Sequence, residues 1–125
     1  MVAGSRHRVL VVDDNVDAAD SMAMLLRMVG QEVRVAYDGP TALLIVQAFH
    51  PQVVLLDIGM PGMDGYAVAR RLNESPELKP EVLVAMTGWG QQEDRRRSLQ
   101  AGFDHHLVKP AKPEELEQLF RRNKE

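Results

Sequence analysis

Runs of strand length alternate with stretches of helical period about five times along this chain, and that alternation narrows the fold more than any other feature. Val9 to Val12 is the first apolar run. Val16, Ala19, Ala23 and Leu26 then recur at helical spacing up to Gly30, where a helix would close. Glu32 to Ala36 reads as a short second strand through Val33 and Val35, with Asp38-Gly39 as the turn beyond it. Pro40 suits the first position of a helix whose body is Ala42 to Phe49. After Pro51, the unbroken run Val53-Val54-Leu55-Leu56 suits a strand buried on both faces. Asp64 can cap a third helix through Leu72, Asn73 to Pro80 reads as a loop, and Val82 to Met86 is the fourth strand. A helix from about Gln91 to Ala101 stops at Gly102, and Leu107-Val108 belongs to the last strand. Pro113-Glu114-Glu115 opens a final helix that carries Leu116, Leu119 and Phe120 inward; its acidic start and its basic end, Arg121 and Arg122, both complement the helix dipole. Repeated strand and helix units imply a parallel sheet with right-handed crossovers and helices on both faces, an α/β doubly wound domain.

The strand ends carry the chemistry. The first run ends in Asp13-Asp14, the third in Asp57, the fourth in Thr87 and the last in Lys109-Pro110. Ligands of an open parallel sheet bind beyond the carboxyl ends of its strands. Gathered there, Asp13, Asp14 and Asp57 would repel one another, so the cluster holds a proton or binds a cation. Oxygen ligation by a few carboxylates suits Mg²⁺, which keeps several waters and bridges to phosphate. A carboxylate can also be the nucleophile, forming an aspartyl phosphate. Asp57 stands alone at its strand end, which makes it the acceptor, and the Asp13-Asp14 pair the metal holders. Lys109 would bring a point charge to the phosphoryl oxygens, Thr87 a hydroxyl donor and Gly88 room for a backbone N–H. Singly, each has a plainer explanation: Thr87 as a helix cap, Lys109 as a solvated charge, Asp13 or Asp14 as the cap of the helix that follows. Convergence on one edge outweighs these.

Composition excludes several alternatives. The absence of cysteine removes disulfides, thiolate metal sites and a cysteine nucleophile. A net charge of -3 argues against nucleic acid as a partner, and Arg95-Arg96-Arg97 reads as a solvated helix face. No apolar stretch approaches a membrane span, and no charged-then-apolar leader is present, so a cytoplasmic location is expected. At 125 residues the chain suits one domain, expected over residues 8–122, between a mobile polar tail at 1–7 and a short tail at 123–125. The segment Gln91 to Ser98 offers almost nothing to bury, and only Leu99 and Ala101 can anchor that helix. It is either a loosely packed surface helix or the movable part of a switch.

From Arg8 to Arg122 the chain resembles a response-regulator receiver domain of two-component signalling. The resemblance rests on Asp13-Asp14, Leu56-Asp57, Met60-Pro61-Gly62-Met63-Asp64-Gly65, Thr87-Gly88 and Lys109-Pro110. It implies a flavodoxin-like or CheY-like fold, a five-stranded parallel sheet of order 2-1-3-4-5 flanked by five helices. It implies that Asp57 takes a phosphoryl group from a histidine kinase or a histidine phosphotransfer protein. Mg²⁺, with Mn²⁺ able to substitute, would be bound by Asp14, Asp57 and the carbonyl of Gly59, with Asp13 helping through water. Thr87 and Lys109 would then read the phosphate, and the Lys109-Pro110 peptide would be cis. Such a domain is no enzyme beyond its own phosphorylation and dephosphorylation, and it signals through the face of its fourth helix, fifth strand and fifth helix, as a monomer or as a phosphorylation-dependent homodimer. The alternative is a pseudo-receiver that acts by binding alone. Thr87-Gly88-Trp89-Gly90 and Asp104 to Pro110 are similar to receivers joined to sensor histidine kinases, so a domain excised from a hybrid kinase is expected, a stand-alone receiver being the other possibility.

Three positions particularise the pattern. His106 stands where the family usually carries Tyr or Phe as a rotamer switch; it either makes switching pH-sensitive or substitutes by hydrogen bonding without titrating. Gly59 leaves bare a position where some members place an amide or acidic side chain, and Trp89 is large enough to shield the acyl phosphate. Together they imply slow self-dephosphorylation. Met60, Met63 and Tyr66 near the site mouth face a partner or serve packing. The glycines at 59, 62 and 65 lack the Lys-Ser/Thr ending of a nucleotide-binding loop. An Asp-nucleophile phosphatase would carry a second Asp where Gly59 stands, and a flavodoxin-like redox module a Ser/Thr/Gly-rich loop where Asp13-Asp14-Asn15 stands.

Overall fold

Strands and helices alternate strictly in the computed structural model, which describes residues 6–88, 95–109 and 111–122. In chain order they are β1 Arg8–Val12, α1 Val16–Met28, β2 Glu32–Ala36, α2 Gly39–Phe49, β3 Val53–Asp57, α3 Gly65–Glu74, β4 Val82–Thr87, α4 Arg95–Ala101, β5 His105–Val108 and α5 Pro113–Arg122. All pairings are parallel and the strand order is β2-β1-β3-β4-β5, as the resemblance implies. Side chains alternate across each strand. Val9, Val11, Val53, Leu55, Val82 and Val84 meet α1 and α5 on one face, and Leu10, Val12, Val54, Leu56, Leu83 and Ala85 meet α2 and α3 on the other. The central strands β3 and β4 are therefore buried at every position, which explains their unbroken apolar composition. Each fully buried Val or Leu contributes about 1.5 to 3 kcal/mol.

Helix ends depart from the reading in instructive ways. Asn15, rather than Asp13 or Asp14, caps α1: its Oδ1 accepts the Ala18 N–H at 3.0 Å. Asp38-Gly39, read as a turn, is the cap and first residue of α2, with Asp38 Oδ1 accepting the Thr41 N–H at 2.7 Å and Pro40 following in the first turn. Asp64 caps α3 as expected, but the helix runs on to Glu74. Asn73, read as loop, uses its Nδ2 to reach the Ala69 carbonyl at 3.1 Å and the Ala101 carbonyl of α4 at 2.7 Å. In α1, Val16 is exposed and Met22 takes an inward position instead. In α4, Leu99 is 76% exposed, while Ser98 and Ala101 face inward. Those two are three apart and share one helix face, which leaves Leu99 a third of a turn outside it. Residues 91–94 of that expected helix lie outside the described residues.

The polar lead-in is tied down at its last residue. His7 is buried, its N–H donates to Gln31 Oε1 at 2.6 Å, and its ring lies 5.3 Å from that of Phe120 in α5. No helix among the described residues is long and apolar enough to cross a membrane.

Candidate functional site

Four strands stop at one level. Val12 pairs with Leu56, Leu56 with Ala85, Asp57 with Met86 and Thr87 with Val108. Asp13, Asp57, Thr87 and Lys109 therefore stand side by side along a single edge, each at or just beyond its strand's end. Carboxylate oxygens of Asp13, Asp14 and Asp57 lie within 4.8 Å of one another. Asp13 and Asp57 are buried and Asp14 is exposed at the rim.

Each buried carboxylate is held from two sides. Asp13 Oδ1 accepts the Asn15 N–H at 3.0 Å and its Oδ2 accepts from Lys109 Nζ at 3.0 Å. Asp57 Oδ1 accepts the Gly59 N–H at 3.1 Å, and its Oδ2 lies 3.6 Å from Lys109 Nζ. Burial pushes the Asp57 carboxyl up to about 6; the Gly59 N–H lowers it, the nearby Asp13 charge raises it and Lys109 lowers it, but burial prevails. At Lys109, burial opposes the charge and is outweighed by the Asp13 hydrogen bond and the charges of Asp57 and Asp13, so its ammonium is held above the usual range. The donor set is all oxygen, lies on one rim and carries more negative charge than Lys109 neutralises. That fits a hard divalent cation.

The loop after β3 is anchored by close packing. A Cβ on Gly65 would lie 2.5 Å from the Asp57 carbonyl oxygen and 2.6 Å from Ile58 Cα, so α3 starts directly against the acceptor's backbone. Met60 and Tyr66 are buried and the partly buried Met63 packs on the same core, so all three serve packing. Sequence reasoning missed what Tyr66 does there. Arg97 of α4 stacks over its ring at 4.2 Å and reaches Asp64 Oδ2 at 3.4 Å, while Phe103 meets Tyr66 edge to face at 6.1 Å. Arg97 of the Arg95-Arg96-Arg97 run is thus engaged rather than merely solvated, and nothing in three identical neighbours singles it out in the sequence.

Thr87 is buried at the end of β4, its carbonyl accepting the Lys109 N–H at 2.7 Å, with Gly88 half-buried after it. By register His106 pairs with Ala85 and shares the face of Thr87. Lys109 reaches both Asp13 and Asp57, and His106 stands one strand aside. Its ring is 6.2 Å from Phe103, and its Nε2 is buried without a hydrogen-bond partner among the described residues. Trp89 and Pro110 lie outside the described residues, and the expected cis peptide with them.

Comparison with known proteins agrees with this geometry. The model of the response regulator receiver domain matches residues 9–121. A probable transcriptional regulator ycf27 from Cyanophora paradoxa is 38% identical over 94% of this chain, which spans 48% of that protein. An uncharacterized 14.6 kDa protein from Leptolyngbya boryana is 35% identical over 89% of this chain and 85% of its own length. The chain thus spans about half the length of the ycf27 regulators it matches. Among solved structures, a putative response regulator from Chloroflexus aurantiacus superposes with a TM-score of 0.85 at 30% identity, covering 95% of this chain and 98% of that one. The receiver domain of sensor histidine kinase PA1611 from Pseudomonas aeruginosa, with a magnesium ion coordinated in its active site cleft, superposes at 0.83 with 29% identity, over 94% and 97%. With the motif residues on one sheet edge and the family match running from β1 into α5, the chain belongs to the response regulator receiver domain family.

Proposed function

We propose that Asp57 accepts a phosphoryl group from a phosphohistidine and that the domain passes this on by changing what it binds. The observation that carries the reading is Asp57 itself: a buried carboxylate at a strand end, with two further carboxylates and one ammonium converging on it. An Asp57 carboxylate oxygen attacks phosphorus, the phosphorus–nitrogen bond of the donor breaks, and the departing imidazole takes a proton. For that attack Asp57 must be ionised, so the proton its burial favours has to leave first. Lys109 faces the oxygens that carry charge as the group transfers, and Thr87 and Gly88 flank the same edge as hydrogen-bond donors. Asp14, Asp57 and the Gly59 carbonyl, with help from Asp13, would hold Mg²⁺, or Mn²⁺ in its place, which would supply positive charge to the phosphoryl oxygens. Receiver domains are signalling modules rather than enzymes, and the partner proposed here is a histidine kinase or histidine phosphotransfer protein of the cytoplasm. Phosphorylation would be read at β4, α4, β5 and α5, with His106 between Thr87 and Phe103 on that route. Residues 8–122 are the proposed unit.

Intact-mass spectrometry after incubation with a small phosphodonor tests this. A single phosphoryl adduct is expected that needs both Mg²⁺ and Asp57. Its absence overturns the reading and leaves a domain that signals by binding alone; its persistence in Asp57→Asn overturns the assignment of Asp57 as the acceptor.

A further inference from the structure

Of nine large apolar side chains exposed among the described residues, five belong to α1 and its cap: Val16, Met24, Leu25, Met28 and Val29. A surface helix turns mainly polar residues outward, and α1 exposes these apolar ones beside Asp17, Asp20, Ser21 and Arg27. Met24 is 62% exposed and Met28 75%, and together with Asp20, Arg27, Val35 and Tyr37 they line an open trough of about 680 Å³ between α1 and the edge strand β2.

The charges on this face are ordered. Asp17, Asp20, Met24, Arg27 and Met28 share one side of the helix by spacing, with both acids toward the N-terminus and the base toward the C-terminus. Turned end for end, such a stripe complements itself. The midpoint between Asp20 and Arg27 falls beside Met24. A two-fold axis there sets each Asp20 opposite the other copy's Arg27, places Met24 against Met24, and brings each Met28 near the other copy's Tyr37. Both charged groups are already positioned: Tyr37 Oη donates to Asp20 Oδ1 at 2.7 Å, and Arg27 Nη2 donates to the Val33 carbonyl at 2.9 Å. Each keeps further hydrogen-bonding capacity, since a carboxylate accepts several bonds and a guanidinium offers five N–H groups. The Arg27 bond also covers part of the β2 edge, which favours contact through the helix face over strand pairing. A strongly acidic or strongly basic partner would meet like charge at one end of the stripe; a second copy meets opposite charge at both.

We propose that this face binds a second copy of the chain, α1 packed antiparallel on α1, in an isologous dimer. One helix face and a shallow trough bury less than about 1,200 Å², the range of transient contacts, so the dimer is weak and reversible. It needs neither phosphate nor metal, so its fate is separate from that of the phosphoacceptor reading.

Sedimentation velocity without phosphodonor, from roughly 10 µM to roughly 1 mM protein, tests it. The wild type is expected to move from monomer to dimer, with weaker association as salt rises from about 0.05 to about 0.5 M. Met24→Glu should stay monomeric with an unchanged circular dichroism spectrum. Asp20→Arg and Arg27→Asp should each associate at least about tenfold more weakly alone, and an equimolar mixture of the two should recover most of the loss as a heterodimer. A chain monomeric at every concentration overturns the proposal. So does a dimer that survives Met24→Glu, a mixture that associates no better than its parts, or a monomer in which Met24→Glu slows only phosphoryl transfer from a histidine donor, which would assign the face to that donor.

Discussion

Lys109 and Asp13, 96 positions apart in the chain, meet through Nζ and Oδ2 at 3.0 Å, although their strands β5 and β1 are not neighbours. The lysine reaches across the ends of β4 and β3 to make this contact and lies 3.6 Å from Asp57 on the way. Asp13 is almost wholly buried and Lys109 about a quarter exposed, so the ammonium shields a charge that water does not reach. Removing one partner of a buried pair leaves the other uncompensated. In metal-free buffer, Lys109→Met should therefore lose about 2 to 3 kcal/mol in urea denaturation. Its initial rate of adduct formation with a small phosphodonor should fall about 100-fold, as removal of a preorganised positive group does. Wild-type stability in this variant would mean that Asp13 is satisfied some other way.

Asp57 gives stability a pH dependence with a definite sign. Burial holds its carboxyl at about 6, above the ordinary carboxylate value. Between roughly pH 4 and pH 6 the folded chain keeps a proton that the unfolded chain has released. The contribution is full below that window and is lost as pH rises through about 6. In EDTA near pH 7.5, Asp57→Asn, which cannot ionise, is expected to exceed the wild type by about 1 to 2 kcal/mol, a figure reduced for the solvent that reaches the rim. The gain should fade toward about pH 4. Paired thermal melts across that range check it; a pH-independent difference would place the carboxyl's titration elsewhere.

The parallel α/β layout and the gathering of Asp13, Asp57, Thr87 and Lys109 were legible in the pattern itself, because apolar runs buried on two faces leave little freedom and the first polar residue after each run must fall at the sheet edge; the strand order came from the resemblance that the motifs carry. The interior of α4 was not. Hydrophobicity pointed to Leu99 and Ala101 as its anchors; Ala101 is buried, but with Asn73 reaching its carbonyl and Arg97 stacking on Tyr66, Ser98 rather than Leu99 turns inward beside it. Both contacts join residues far apart in sequence, and neither has a local pattern that announces it. The cap of α1 was left unassigned for a related reason. Asp13, Asp14 and Asn15 are all competent caps, and the pairing of Asp13 with Lys109, decided by the tertiary fold, leaves the task to Asn15.

His106 was read as a switch that either titrates or hydrogen-bonds. Its Nε2 is buried with no hydrogen-bond partner among the described residues. A buried unsatisfied polar atom costs about 1 to 3 kcal/mol. His106→Phe keeps a planar ring beside Phe103 and removes the orphan, so the unphosphorylated domain should gain about 1 kcal/mol, read as a higher urea midpoint at unchanged slope. A loss of stability would show that the nitrogen has a bridging water. If the phosphorylation-linked NMR shifts of His106 do not change between about pH 6 and about pH 8, its switching role does not depend on titration.

Gly59 is exposed, two residues beyond Asp57, and presents no side chain to the water that would attack an aspartyl phosphate. Gly59→Asn adds an amide able to orient that water, and Trp89→Glu removes bulk while adding an acceptor. The double variant should lose its phosphoryl group about tenfold faster than the wild type. Decay of the adduct mass after removal of the phosphodonor measures this, and an unchanged lifetime would sink the explanation.

Gly65 offers the sharpest test of how the acceptor is positioned. Its missing side chain lets α3 begin against the β3 backbone, where a Cβ would sit 2.5 Å from the Asp57 carbonyl oxygen and 2.6 Å from Ile58 Cα. Both are backbone atoms in a fully buried strand end and its extension, so relief must come from moving α3 or the acceptor itself. Gly65→Ala is therefore expected to cost about 2 to 3 kcal/mol, at the upper end of overpacking effects, and to slow phosphoryl uptake disproportionately because Asp57 is displaced with its carbonyl. Gly62 is the control on the same loop. It has φ +75 and open space around a would-be Cβ, so Gly62→Ala should cost only about 1 kcal/mol of backbone strain and leave the uptake rate near the wild type. Equal effects of the two substitutions on uptake would mean that loop conformation, rather than contact with the Asp57 backbone, sets the geometry of the acceptor.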